Sequence, residues 1–243
     1  MLICQDGLTI GSLSGGCLEE EVVRCAREVL RTGDPALMRF DTRRRFGCNG
    51  NIDIYIERVT SSFFTELVDD LAARRASLLG TKFPGGEFRQ EIHPPIRLLI
   101  FGNGPDKGPL QSLGRLLGWE VIPADDALSI VPDQWTAALV KSHNYGRDFA
   151  TLQRLLPLNL RYVGLMGPRQ RRDQLLHDLL DLGVTINAGF FAPVGLDLGG
   201  ETPEELALEI VSEIQRVFAG GSGFSLRERK LSIHAERCKI LAR

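Results

Sequence analysis

Residues 98–126 read LLIFGNGPDKGPLQSLGRLLGWEVIPADD. The first four are apolar without alternation, which predicts a strand that is buried on both faces. Gly102 and Gly104 follow at once, where a backbone must turn sharply or approach a ligand closely. Leucines at helical spacing then predict a helix that ends at Gly118, followed by a second short strand. The stretch is therefore predicted to be a βαβ unit of the dinucleotide-binding kind.

The glycine fingerprint of this turn is incomplete. Asp125 lies about 20 residues beyond the glycines, where an acid usually holds a ribose hydroxyl. However, Lys107 stands where G-x-G-x-x-G requires its third glycine, Gly108 comes one place late, and Pro105 removes an amide donor. Two interpretations stay open: a nucleotide or anion site that differs from a standard dehydrogenase, or a plain strand–turn–helix with no ligand.

Length and composition exclude several classes of protein. The chain has 243 residues, enough for one large or two small domains, and its net charge of -2 argues against a nucleic-acid partner. No signal peptide opens it, and no apolar run approaches the roughly 20 residues of a membrane span. The five cysteines are odd in number and include no C-x-x-C, which predicts a cytoplasmic protein without a disulfide framework.

The order of patterns along the chain predicts an α/β fold with two domains. Hairpin and alternating strand patterns predict a smaller α+β domain over 1–80, whose last helix would cover 62–79. Glycines and prolines over 81–95 predict a linker. Alternating strands and helices over 96–219 predict a Rossmann-like, mostly parallel sheet, and 220–243 a C-terminal tail.

Cys17 is a candidate ligand in the first domain. It begins a predicted helix behind Gly15 and Gly16, where the helix dipole and free amides favour a thiolate, whereas three glutamates that follow oppose it. The alternative is a small residue packed at a tight turn. Cys25 lies on the apolar stripe of the same helix and is predicted to be core.

Gly47 and Cys48 lie in an arginine-rich loop, 41–50, before a half-buried strand. The loop is interpreted either as solvated or as an anion site. Cys17 and Cys48 are both predicted to be accessible to a reagent.

A second glycine turn provides the best predicted anion site. Gly164 and Gly167 flank the end of a predicted strand, and Pro168 suits the first turn of the helix that follows. Arg169 is then in that first turn, so its guanidinium can add charge-assisted hydrogen bonds to an anion at the helix start.

His143 ends a neighbouring predicted strand and is expected on the same rim, although a lone histidine can also be structural. Arg171 and Arg172 are expected on a solvated helix face.

Several segments of this chain, taken in order, resemble the xanthine dehydrogenase accessory factor (XdhC/CoxI) family. The segments are Gly11–Glu19, Phe46–Gly50, Ile100–Gly104, Tyr162–Gly167 with Arg169, and Ala192–Asp197 before Thr202–Glu205.

The resemblance implies a function that spacing alone does not give. Proteins similar to this one bind molybdenum cofactor, help it acquire its terminal sulfur, and deliver it to an apo-molybdoenzyme of the xanthine dehydrogenase type. They resemble chaperones more than enzymes. The resemblance further implies a cysteine desulfurase as partner and a homodimer, which the apolar faces of residues 1–79 also favour.

The phosphate of molybdopterin suits the second glycine turn, and a soft molybdenum–dithiolene centre suits a thiolate. Cys17 and Cys48 are therefore the predicted metal contacts. The predicted cofactor-binding residues are Gly15, Gly16, Cys17, Gly47, Cys48, Gly102, Gly104, Asp125, His143, Gly164, Gly167 and Arg169.

The chain departs from the family pattern at three places. It begins at what resembles the family's second strand, so part of the first domain is expected to be missing. Pro105 stands where family members usually have histidine, and Lys107 and Gly108 replace small apolar residues. These departures keep two alternatives open: an NAD(P)-dependent oxidoreductase that uses the Gly102/Gly104 turn, and a partner-docking protein that has lost its ligand.

Overall fold

The computed structural model describes residues 1–13, 17–41, 51–124, 130–228 and 240–241. The chain divides between Ile92 and His93 into two compact units, and the short strand Ile240–Leu241 belongs to the first. Within the described ranges, no helix has both the length and the apolar character needed to cross a membrane.

The described residues of the first unit form two helices and three small antiparallel sheets. Its elements in chain order are β1 (Leu2–Ile3), β2 (Thr9–Ile10), α1 (Cys17–Thr32), β3 (Ala36–Asp41), β4 (Asn51–Ile56), α2 (Ser61–Ala72), β5 (Ser77–Phe83) and β6 (Gly86–Ile92). β1 pairs with β2, β3 with β4, and β5 with β6, and Ile240–Leu241 adds to β6.

Helix α1 forms where the sequence predicts it. Its buried positions, Leu18, Val22, Ala26 and Val29, recur at the three- and four-residue spacing of one helical face. It ends at Gly33, which takes a φ of 83° that favours glycine. Cys25 is half-buried beside this stripe and is a free thiol.

The end of the first unit differs from the sequence prediction. The helix predicted over 62–79 ends at Ala72, and the predicted linker 81–95 contains most of a β-hairpin, β5 and β6. Burial along β5 alternates from Ser77 to Phe83, as a strand requires. Pro84 and Gly85 form the short hairpin connection, with φ 108° at Gly85, so the same turn residues that suggested a linker close a hairpin.

The second unit alternates strands and helices as predicted. Its elements are β7 (Arg97–Phe101), α3 (Lys107–Leu116), β8 (Glu120–Ala124), β9 (Thr136–Val140), α4 (Tyr145–Leu155), β10 (Tyr162–Leu165), α5 (Arg169–Asp181), β11 (Phe190–Phe191) and α6 (Pro203–Ala219).

The strands of this unit form one parallel sheet in the order β8-β7-β9-β10-β11. This confirms the predicted α/β, Rossmann-like fold. Successive residues of β7 point to opposite faces, so Leu98 and Ile100 join a core with α6, whereas Leu99 and Phe101 join a core with α4 and α5. Because both faces are covered, the strands can be continuously apolar, which is why β7 shows no alternation.

The start of α6 is fixed by a capping box. The Thr202 hydroxyl accepts a hydrogen bond from the Glu205 amide, and the Glu205 carboxylate accepts one from the Thr202 amide. The Thr202 amide, as the largest cause, holds the pKa of Glu205 below its ordinary value. Pro203 occupies the first helical position, where its fixed φ suits a helix and its missing amide proton costs no hydrogen bond.

A buried tyrosine–carboxylate contact joins α6 to the sheet. The Tyr162 hydroxyl donates to Oε2 of Glu213 at 2.8 Å, and the Gly195 amide donates to the same oxygen at 2.9 Å. Burial, followed by the neighbouring Glu213 charge, raises the pKa of Tyr162 well above its ordinary value. The phenol therefore remains a donor throughout the physiological pH range.

Tyr162→Phe should lower the free energy of unfolding by about 1–3 kcal/mol, because a buried carboxylate loses one of its two donors. Urea unfolding of the full chain measures this loss. Tyr145→Phe is the matched control: the Tyr145 hydroxyl also donates to a carboxylate, that of Asp178, but Tyr145 is 38% exposed. Its loss should stay below about 0.5 kcal/mol. Equal losses in the two variants would contradict burial as the cause.

Candidate functional site

The candidate site lies at the carboxyl edge of the parallel sheet in the second unit. β8 and β9 flank β7 on opposite sides, so the direction of strand succession reverses between β7 and β9. Open α/β sheets bind ligands at such a reversal, outside the carboxyl ends of the strands. Three chain segments meet there: the Gly102–Gly104 turn after β7, Lys141–Asn144 after β9, and Met166–Pro168 after β10.

The glycine turn packs directly on the end of β9. Gly102 and Gly104 have φ values of 113° and 153°, both in the region that favours glycine. A Cβ on Gly102 would lie 2.6 Å from the backbone of Lys141 and Ser142. A Cβ on Gly104 would lie 2.9 Å from Oδ1 of Asp106 and 3.0 Å from Nζ of Lys141. Both glycines are therefore required by close approach, as predicted, but here the neighbour is protein.

Beneath this turn lies a buried ion pair that the sequence analysis missed. Nζ of Lys141 is 2.8 Å from Oδ1 of Asp106, and the two side chains are 0% and 7% exposed. The available signals were a lysine directly after an apolar strand and an acid two residues after Gly104. Neither pattern is specific, because only the sheet topology brings the two residues together.

A second buried carboxylate organises the neighbouring strand ends. Asp148 in α4 is fully buried and accepts hydrogen bonds from the amide and hydroxyl of Ser142 and from Arg171. Asn144 caps α4 by accepting from the Arg147 amide at 3.0 Å. The chain after β9 is thus fixed to α4 and to α5.

His143 lies on this rim, at the end of β9, as predicted. It is exposed and takes a φ of 56°, which is uncommon for a residue with a side chain. The tight path between Ser142 and the cap residue Asn144 imposes this conformation. The imidazole is therefore presented at the edge of the sheet.

The second glycine turn differs in detail from the prediction. Gly164 is buried inside β10, where a Cβ would lie 2.8 Å from Val194 and 2.9 Å from the Tyr162 ring, so packing explains this glycine. The turn itself is formed by Met166 and Gly167, and Gly167 has a φ of 148°. Pro168 is the residue before the helix and not its first position.

Helix α5 begins at Arg169 without a side-chain cap. Arg169 is exposed and makes no hydrogen bond or ion pair with the residues that the structure describes. The uncapped start and this unengaged guanidinium together suit an anion.

The prediction of a solvated face for Arg171 and Arg172 is wrong. The side chain of Arg171 is 18% exposed and pairs with Asp148, while its Nε is buried without a hydrogen-bond partner among the described residues. Arg172 donates to the carbonyl oxygen of Ala192 at 3.1 Å and pairs with Asp173. The sequence could not show this, because the partners come from α4 and from the segment after α5.

The thiol site predicted in the first unit lies mainly outside the described residues. This holds for Gly15, Gly16, Gly47 and Cys48, and in the second unit for Asp125. Cys17 is the first residue of α1, as predicted, but its side chain is not among those described. Just before it, the Ser12 hydroxyl and the Leu13 amide donate to Glu19 at 2.6 and 2.8 Å. Within the described residues, no group of three or more metal-ligating side chains occurs.

Two family models match the chain. The XdhC Rossmann domain covers residues 98–214, and the XdhC and CoxI family covers residues 1–41. A probable xanthine dehydrogenase subunit from Bacillus subtilis (strain 168) is 28% identical, over 88% of this chain and 86% of that protein. The molybdenum cofactor insertion chaperone PaoD of Escherichia coli (strain K12) is 24% identical, over 89% of this chain and 77% of its own length.

A solved structure has the same fold. The crystal structure of a xanthine dehydrogenase from Bacillus halodurans superposes with a TM-score of 0.77 at 22% identity, over 96% of this chain and 88% of that chain. This likeness supports the predicted architecture.

Gly104→Ala should destabilise the second unit by about 2 kcal/mol or more, because the methyl group meets Asp106 and Lys141 and the backbone conformation is strained. Gly108→Ala is the matched control: it lies one turn on, and a Cβ there meets nothing within 4 Å. That change should be neutral or stabilise by up to about 1 kcal/mol through helix propensity. Chemical unfolding of both variants measures the difference, and similar stabilities would argue against the close contact.

Proposed function

Since this chain belongs to the XdhC and CoxI family, we propose that it binds molybdenum cofactor as cargo and delivers it to an apo-molybdoenzyme of the xanthine dehydrogenase type. One relative is named as a molybdenum cofactor insertion chaperone and another as part of a probable xanthine dehydrogenase, which supports this proposal. The chain acts in it as an accessory factor and not as an enzyme. None of these names mentions NAD(P), which the alternative of an NAD(P)-dependent oxidoreductase requires.

The observation that carries the proposal is the anion chemistry of the sheet's carboxyl edge. The uncapped start of α5 offers backbone amides, Gly167 keeps them free of a side chain, and Arg169 adds a positive charge. The cofactor carries a phosphate, and a helix start with an adjacent arginine is a suitable phosphate site. His143 and the Gly102–Gly104 turn border the same edge, so they are the proposed neighbours of the pterin portion.

The proposal assigns the sulfur chemistry to the first unit. Cys17 and Cys48 are the proposed soft ligands for the molybdenum centre, near Gly15, Gly16 and Gly47. Assistance with sulfuration, with a cysteine desulfurase as the sulfur source, belongs to the same proposal. Co-purification of this chain with a desulfurase would test that partnership.

A homodimer in the cytoplasm is the proposed working form. The first unit leaves apolar side chains exposed on α2 and β5, among them Val68 at 60% and Leu78 at 67%. Such exposure in a small unit favours association with a second copy. Light scattering at micromolar concentration gives the mass, and a monomer would contradict this part of the proposal.

Arg169→Ala should weaken binding of molybdenum cofactor about tenfold or more in direct titration, because a charge-assisted hydrogen bond contributes roughly 1.5–3 kcal/mol. The melting temperature should barely change, since the exposed Arg169 side chain makes no hydrogen bond or ion pair with a described residue. Arg115→Ala, an exposed arginine in the last turn of α3, removes the same charge far from this edge and should bind normally. Unchanged affinity of the Arg169 variant would remove the start of α5 from the site and favour the Cys48 loop.

Cys17 and Cys48 should react with iodoacetamide well before Cys25, because the glycine-rich sequences beside them predict accessible thiols, whereas Cys25 is half-buried in α1. Mass spectrometry of the folded chain after timed alkylation gives the three rates. Molybdenum cofactor should protect the first two thiols. Equal reactivity of all three would refute their assignment as metal contacts.

A further inference from the structure

The buried pair of Lys141 and Asp106 is incompletely satisfied. Oδ1 of Asp106 lies 2.8 Å from Nζ of Lys141. Among the described residues, however, no acceptor meets Nζ in hydrogen-bonding geometry, and the second carboxylate oxygen, Oδ2, has no partner at all. An ammonium has three donors and a carboxylate about four acceptor sites, so most of this capacity is unused.

Fold stability does not explain such a pair. Removing two charges from water costs several kcal/mol each, and their attraction repays this only with good geometry and further hydrogen bonds. Apolar side chains of similar volume would serve the fold as well or better. Lys141 directly follows β9, beside the reversal of strand order where such sheets bind ligands. A buried group left unsatisfied at such a place calls for a functional explanation.

Asp106 has a second favourable place for its charge. It is the residue before α3, a helix of ten residues, yet its side chain makes no capping hydrogen bond and turns to Lys141 instead. The amino end of a helix attracts a carboxylate through the helix dipole. Asp106 can therefore leave Lys141 without leaving a region of positive potential.

Gly104 adds no side chain of its own to the space beside the buried ammonium. Gly104 has no Cβ, and one built there would lie 3.0 Å from Nζ. On its other side the turn is bridged by Lys107, whose Nζ donates to Oδ1 of Asn103 at 2.8 Å. A side chain at residue 104 would therefore meet the buried ammonium, and glycine avoids that contact.

We propose that Lys141 binds the phosphate or diphosphate group of a ligand in this crevice, and that the Asp106 carboxylate holds the position until the ligand displaces it. The exchange breaks no covalent bond: the anion takes over Lys141, and Asp106 turns to the start of α3. A neutral ligand cannot replace a carboxylate at a buried ammonium, so the crevice selects for anions. The proposal rests on the proposed function only for the identity of the natural ligand.

The test is titration of the full chain with inorganic phosphate and with pyrophosphate, by calorimetry and by the shift in melting temperature. Lys141→Met should weaken binding about tenfold or more, since a buried charge-assisted contact is lost. Asp106→Asn should melt lower without ligand but bind the anion more tightly, about tenfold, because the competing carboxylate is gone. Lys82→Met, an exposed lysine of the first unit, is the matched charge control and should bind normally.

If the pair had only a structural role, Lys141→Met and Asp106→Asn would both be less stable than the wild type. Asp106→Asn would then bind the anions with unchanged or lower affinity. The double variant Lys141→Met/Asp106→Asn guards against misfolding, because it removes both buried charges together. It should be folded and should bind both anions no more tightly than Lys141→Met does.

Normal anion binding by either variant that lacks Lys141 would overturn the proposal, and so would weaker binding by Asp106→Asn. The tighter of the two anions indicates whether the natural ligand carries one phosphate or two. The loss of phosphate binding in Lys141→Met can be measured whether or not the wild type binds molybdenum cofactor. The proposal for Lys141 and the proposed function can therefore be contradicted independently of each other.

Discussion

The contact between the Gly102–Gly104 turn and the end of β9 is the constraint on which the carboxyl edge of the second unit depends. A Cβ at Gly102 would overlap the Lys141 backbone, so the chain after β7 can leave the sheet only because that residue is glycine. The Lys141 amide then donates to the Phe101 carbonyl oxygen at 2.8 Å and extends the ladder between the two strands by one residue. The conformation of the turn and the position of Lys141 therefore depend on each other, and both lie where the strand order reverses.

Asp148 connects the segment after β9 to α5 through hydrogen bonds. Its carboxylate holds Ser142, the residue after Lys141, and also Arg171 in α5. A fully buried carboxylate that accepts from the segment after β9 and from α5 fixes their relative positions, because losing either donor would leave a charge less well satisfied. The uncapped start of α5 and the exposed His143 are therefore displayed on a rigid frame, which favours a preorganised ligand site.

The sequence predicted the elements whose signals are local. The unbroken apolar run 98–101 and the helix that begins at Cys17 each depend on neighbours within a few residues, and both are confirmed. The pairs Lys141–Asp106 and Arg171–Asp148 depend on which strands adjoin, so no local pattern could reveal them. The hairpin after α2 was missed because Pro84 and Gly85 suit a linker as well as a two-residue connection.

Each glycine of the dinucleotide-binding fingerprint has a structural role, and this chain retains only some of these roles. A third glycine normally permits close packing of helix on strand, and Lys107 cannot provide it. Gly114 does so instead, since a Cβ there would lie 2.6 Å from Cγ2 of Val121 in β8. The second glycine normally lets the backbone approach a pyrophosphate, but Gly104 lies against Nζ of Lys141. The βαβ geometry is therefore retained, and the positive charge beside the turn comes from a buried side chain.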